Sequence, residues 1–155
     1  MASLKLQAQD ALAVITSDSI DVPNLASETI SSVTTGTTAD KLVDSAALFL
    51  TTHMIGVGDI IYNTTDGTTA TVTAIDSATT LSISSDIMAS GKSYVIYRKG
   101  TTGCVLYVGV TGDLKVTASG GGTVILKAAP VGWHPINVTR VWATGTTATD
   151  IVAAW

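Results

Sequence analysis

From position 57 to position 97, apolar and β-branched residues alternate or cluster in short runs, each closed by Asp, Asn, Gly or Ser. That is the punctuation of short antiparallel strands. The pattern predicts strands at residues 59–62, 70–75, 80–84 and 93–98. Asn63-Thr-Thr-Asp66-Gly67 supplies the first turn, because Asp and Gly tolerate the backbone conformations that hairpin loops demand. Asp76-Ser-Ala makes the second turn and Ser90-Gly91-Lys92 the third. Short strands joined by tight turns bury one face most economically by curling, so this stretch reads as an SH3-like small β-barrel.

The pattern starts afresh after Lys99-Gly100-Thr-Thr-Gly103. Strands are expected at residues 104–110, 113–119, 123–128, 136–143 and 150–155, with Gly120-Gly-Gly122 as the clearest hairpin turn. Pro130, Gly132 and Pro135 bracket a predicted loop that holds Trp133 and His134. Before the barrel the signal is weaker. Alternation up to Ala8 and the run 11–15 suggest strands, 27–33 suits an edge strand, and 39–50 is read as extended. Thr34-Thr-Gly36-Thr-Thr38 reads as a linker, mirroring the one at 99–103. Two Gly/Thr linkers flanking a compact module describe an insertion. The expected architecture is all-β: a discontinuous, β-sandwich-like host of residues 1–38 plus 101–155, with the small barrel of residues 39–100 nested in it.

Composition sharpens this picture. Hydrophobic residues make up 46% of the 155 and charged residues 13%, which is ample for a core and low for the surface of a free monomer, typically about 25–35% charged. Two readings stand side by side: a surface that meets other protein, or one kept soluble by its Thr and Ser hydroxyls. The net charge of -4 and eight scattered basic residues exclude a nucleic-acid partner, which draws on clustered Lys and Arg. No apolar run approaches the roughly 20 residues of a membrane span. The first residues lack a basic region followed by an apolar stretch of secretory length, so synthesis and folding in a cytoplasm are expected. Cys104 is the single cysteine, which rules out an intrachain disulfide, and its apolar surroundings fit a buried thiol better than a nucleophile.

Several phrases resemble known proteins. Leu106-Tyr-Val-Gly109, Gly112-Asp-Leu-Lys-Val116, Thr123-Val-Ile-Leu126 and Thr139-Arg-Val-Trp-Ala-Thr-Gly-Thr-Thr-Ala-Thr-Asp-Ile-Val152 are similar to small virion proteins of tailed bacteriophages and gene transfer agents. The similarity is greatest to the head spike base protein family, whose N-terminal segment Ala13-Val-Ile-Thr-Ser-Asp18 also resembles. In that family the two parts lie closer together, so the barrel reads as an addition. Val57-Gly-Asp-Ile-Ile-Tyr-Asn63 with Asp66-Gly-Thr-Thr-Ala-Thr-Val72 is similar to modules of other phage structural proteins. The resemblance implies a virion structural protein on the head surface, made in the host cytoplasm.

Reaction chemistry finds little support. Neither His53 nor His134 has a partner at ligand spacing, and no Cys-x-x-Cys or His-x-x-x-His occurs, so no catalytic, cofactor or metal residue is assigned. Asp18 and Asp21 are weighed as calcium ligands and read more simply as turn residues. The expectation is a non-enzymatic capsid decoration, or cement, protein that binds the major capsid protein on the assembled head and itself in a trimer or other small ring. The alternative is a spike base or tail appendage that binds host surface or polysaccharide. Trp133, His134, Ile151 and Trp155 are the interface candidates, with Trp155 either capping its own sheet or crossing into a neighbour.

Overall fold

The computed structural model describes residues 8–155, and they fold as an all-β protein with two six-stranded antiparallel sheets. The chain divides into two compact units, one built from the segment up to Val22 together with Thr102–Trp155, the other from Pro23–Thr101. The strand expected up to Ala8 falls outside the described residues for all but its last position, and Ala8 itself is not in a strand.

In the nested unit the strands are β2 (Glu28–Val33), β3 (Lys41–Val43), β4 (Ile60–Asn63), β5 (Thr68–Ser77), β6 (Thr80–Ile83) and β7 (Ser93–Tyr97), preceded in the host by β1 (Ala11–Ala13). Their order in the sheet is β2-β7-β4-β5-β6-β3. A single bridge between Gly36, just past β2, and Val43 of β3 joins the two outer strands, so the sheet curls on itself. Leu42, Phe49, Ile61, Leu81, Tyr94 and Ile96 fill the interior and are fully buried. Packing a curled sheet this tightly requires alternation, and β6 and β7 show it along Leu81 and Ile83, then Tyr94 and Ile96.

The first unit boundary corrects the expectation. The sequence pattern places residues 27–33 in the host, yet β2 lies along β7 with Ile30 opposite Ile96 and Val33 opposite Ser93. The stretch at 34–38 is part of the barrel rather than a linker. Thr34 is buried, its hydroxyl is bonded to the carbonyl of Ala89, and its amide donates to the Lys92 carbonyl. The physical reason is the unpaired edge of β7, which without β2 would expose a row of backbone donors and acceptors. The second expectation to change is the stretch at 39–50. Only Lys41–Val43 forms a strand, and the chain then runs as an irregular loop pinned inward by Ala47, Phe49 and Ile55.

The host sheet contains β8 (Cys104–Val110), β9 (Gly112–Ala118), β10 (Thr123–Ala129), β11 (Gly132–Val141) and β12 (Thr149–Ala154), in the order β1-β12-β8-β11-β9-β10. The Gly120–Gly122 turn closes the β9–β10 hairpin, with Gly121 at φ 89° where other residues are strained. Leu106, Val108, Leu114, Val116, Val138 and Ala153 form the centre of its core and are fully buried. Between β9 and the turn before β12, Gly112 admits a close backbone approach: a Cβ there would lie 2.6 Å from the Thr147 carbonyl carbon and closer still to the Ala148 amide.

β11 also departs from expectation, because the segment around Trp133 and Pro135 is strand from Gly132 onward. Its first half pairs with β8 and its second half with β9, and the register shifts between His134 and Val138 and again before Arg140. Proline is tolerated in a strand at such irregularities, where no ladder hydrogen bond is lost. The shift after Val138 also changes which side chains face inward, so that Val138 and Val141 are both buried although three positions apart.

Candidate functional site

Strand alternation puts Cys104, Leu106 and Val108 on the inner face of β8 and Val105 and Tyr107 on the outer one. Register then extends the outer face across four strands. Ala13 lies opposite Val152, Val152 opposite Tyr107, and Tyr107 opposite Trp133. A second row runs from Ala11 to Ala154 to Val105. None of these side chains is charged. An antiparallel sheet with one face on a core ordinarily turns polar residues to the other side; here these two rows are apolar, while Asp150 of β12 and Asp113 and Lys115 of β9 follow the usual rule on the same face.

At one end of the sheet a cavity of about 660 Å³ opens, lined from both sides of the strands by Cys104, Val105, Trp133, His134, Ala154 and Trp155. Trp133 is 60% exposed, its ring meeting Tyr107 edge to face at 5.4 Å between centroids. His134 follows on the other side of β11, with Nε2 3.0 Å from the Pro130 carbonyl oxygen. Trp155 is partly buried and packs against the host core, so it caps its own sheet. Its buried indole N–H finds no acceptor among the described residues. Ile151, expected at an interface, instead faces inward opposite Val108 and is buried. Three residues of the candidate set, Trp133, His134 and Trp155, therefore line the cavity, while Ile151 belongs to the core.

The nested unit carries a patch that the sequence pattern did not reveal. The loop after β3 buries Phe49 and Ile55 and turns Leu48, Leu50, Met54 and Val57 outward, each about half exposed or more. The ring of His53 sits beside Phe49 at 6.5 Å between centroids, and its Nδ1 accepts from the Leu48 amide at 3.3 Å. The loop is thus held in shape by its own buried anchors and backbone bonds, and its exposed side chains cost the fold nothing to display.

The titratable groups are engaged in structure. Asp44, which is buried, accepts from the Ser32 hydroxyl at 2.7 Å and the Tyr94 hydroxyl at 2.8 Å. Burial alone would raise its carboxyl; the hydrogen bonds from Ser32, Tyr94 and the amides of Ala46 and Ala47 outweigh that and hold it below the usual carboxylate range. Burial first, then the Asp44 carboxylate, push the Tyr94 phenol well above its ordinary value. Burial likewise pushes the Cys104 thiol up to about 12, so it is protonated at neutral pH and a poor nucleophile. Asp18 accepts from the Thr144 hydroxyl at 2.6 Å and amide at 2.8 Å, and Asp21 pairs with Arg140 at 2.7 Å. These two carboxylates tie the segment after β1 to the end of β11 and the turn that follows it. Lys41, Lys92 and Lys127 are also ion-paired within the chain, to Asp76, Asp66 and Asp113. Among the described residues no group of three or more His, Cys, Asp or Glu is placed to hold a metal, and no helix is long and apolar enough to cross a membrane. Compared with known proteins, the chain matches no family model, no curated protein and no solved structure.

Proposed function

We propose that this chain is a structural protein of a bacteriophage virion, a decoration or cement protein that binds the outer surface of the assembled head through the major capsid protein. The observation that carries this reading is that each unit displays its own exposed apolar side chains, Leu48, Leu50, Met54 and Val57 on the nested barrel and Trp133 on the host. A protein with two separate apolar surfaces and 13% charged residues is suited to lying against other protein. In this reading it performs no reaction: its one thiol is buried and protonated, and its buried carboxylates are engaged, Asp44 by Ser32 and Tyr94 and Asp59 by the amides of Gly56 and Lys99. The sequence resemblance to head spike base proteins supports the same location.

Quantitative mass spectrometry of purified particles tests the assignment. A copy number comparable with that of the major head subunit is the expected result. A few copies per particle would favour an appendage, and absence from the particle would overturn the virion role. Heads that carry the protein should also resist heat better than heads stripped of it, because a ligand of the assembled state stabilises that state by mass action.

A further inference from the structure

β10 forms one edge of the host sheet, and no strand of the described residues follows it. The phase of its hydrogen bonds is set at the hairpin, where the Ala118 amide donates to the Gly122 carbonyl. Bonding direction alternates along an antiparallel ladder, so Gly122, Val124 and Leu126 turn their backbone groups to β9, the latter two opposite Val116 and Leu114. Thr123 and Ile125 turn their N–H and C=O groups to the open side. The apolar inner face also runs one strand past its cover: Val116 is fully buried, whereas Val124 opposite it is 42% exposed. We infer that this edge docks the same edge of a second copy, the two β10 strands pairing antiparallel about a two-fold axis at Val124. The inference concerns the purified protein and goes beyond the proposed head contact.

Three features of the strand select that occupant. An open row of backbone donors and acceptors is completed by an extended chain, and the regular stretch 122–126 is its own complement. Centred on Val124, Thr123 of each copy stands opposite Ile125 of the other, and each such pair exchanges two bonds, about four in all. Val124 then meets Val124 on the inner face, covering the row that is left open in one copy. The second feature is charge. Gly122-Thr-Val-Ile-Leu126 carries none, and the one charge on β10, Lys127, is ion-paired to Asp113 of β9. In the pair the two Lys127 residues lie at opposite ends, so no like charges face each other across the axis. A bulge or mid-strand charge commonly guards an edge against such pairing; in β10 the register shift comes only after Leu126.

The third feature is closure. The opposite edge of the sheet is β1, three residues long, which is too short to receive β10 of another copy and begin a head-to-tail filament. A two-fold pair uses each β10 once and stops at a dimer. The contact buries little beyond the two strands, so the dimer is weak and reversible.

Sedimentation velocity on the full chain over a wide concentration series, with amide hydrogen exchange followed by NMR on the same samples, is the test. The expected result is a monomer–dimer equilibrium in which the Thr123 and Ile125 amides gain protection as concentration rises. Val124→Lys and Val124→Asp should each be monomeric, because like charges then meet on the axis, and an equal mixture of the two should restore the dimer. A folding defect cannot produce that recovery. If either variant shifts the thermal melt, Thr123→Pro provides the second variant: it removes one outward N–H per copy at the start of the strand, where proline is tolerated, and should weaken the dimer about tenfold. A wild-type protein that stays monomeric throughout, a trimer or filament, or protection gained only outside β10 overturns the inference. So does a dimer that survives in either Val124 variant alone or at full strength in Thr123→Pro, or a mixture of folded Lys and Asp variants that stays monomeric.

Discussion

Asp44 lies beneath the turn that follows β3, 1% exposed, and binds three parts of the nested barrel at once: Ser32 of β2, Tyr94 of β7 and the amides of its own turn. A carboxyl whose folded pKa lies below its unfolded value, here near 3.8, contributes stability above that value and loses it as pH falls through the lower folded one. Thermal melts of the barrel should thus hold steady from neutral pH down to about 4 and weaken below it. Tyr94→Phe removes one hydrogen bond to the carboxylate and should cost about 1–3 kcal/mol, while Asp44→Asn should remove much of the acid sensitivity. A melt as acid-sensitive in Asp44→Asn as in the native chain would assign that sensitivity elsewhere. Asp59 and Asn63 are buried in the same manner. Asp59 accepts from the amides of Gly56 and Lys99, and Asn63 accepts from those of Thr65 and Asp66. In the sequence all three stand where turn residues stand, and their burial depends on strands far away in the chain.

The strands themselves were legible to a large degree, and the reasons are local. β-branched runs closed by Gly, Asp and Asn marked β4 to β10 within a few residues, and Gly120-Gly-Gly122 marked its hairpin. What the pattern does not contain is partner choice. β2 reads as an edge strand and is one, but the strand it joins is β7. The Pro135 segment reads as a loop because proline is excluded from regular ladders, and only the register shifts in β11 make room for it. The candidate site was legible in part. Trp133 stood out as a rare aromatic, whereas the row that continues it through Tyr107, Val152 and Ala13 exists only once register across four strands is set. The loop after β3 was missed because its apolar residues serve two ends, Phe49 and Ile55 inward and Leu48, Leu50, Met54 and Val57 outward. Replacing Leu48 and Met54 together by Ser should therefore change barrel stability by no more than about 0.5 kcal/mol per site while lowering occupancy on purified heads, measured by co-sedimentation. Full occupancy in that variant would remove the loop from the head contact.

At the scale of the whole molecule the insertion begins at Pro23 and not near residue 39. A fragment of residues 23–101 should give a cooperative thermal melt, because it retains β2, the bridge at Gly36 and the Ser32 contact to Asp44. Residues 39–100 should not, having lost the strand that covers β7. Equal cooperativity in both fragments would return the boundary to the later position. The host is discontinuous in a more demanding way, since Ala11 of β1 lies opposite Ala154 of β12 and Ala13 opposite Val152. During synthesis β1 emerges from the ribosome well before its partner β12, with the entire barrel made in between. Domains form in the order in which they are completed, so the barrel is finished while β1 still waits, unpaired until β12 is made. Its brevity and its small side chains, Ala-Leu-Ala, make that wait safe, because a three-residue edge offers a nascent neighbour on the same polysome little to pair with.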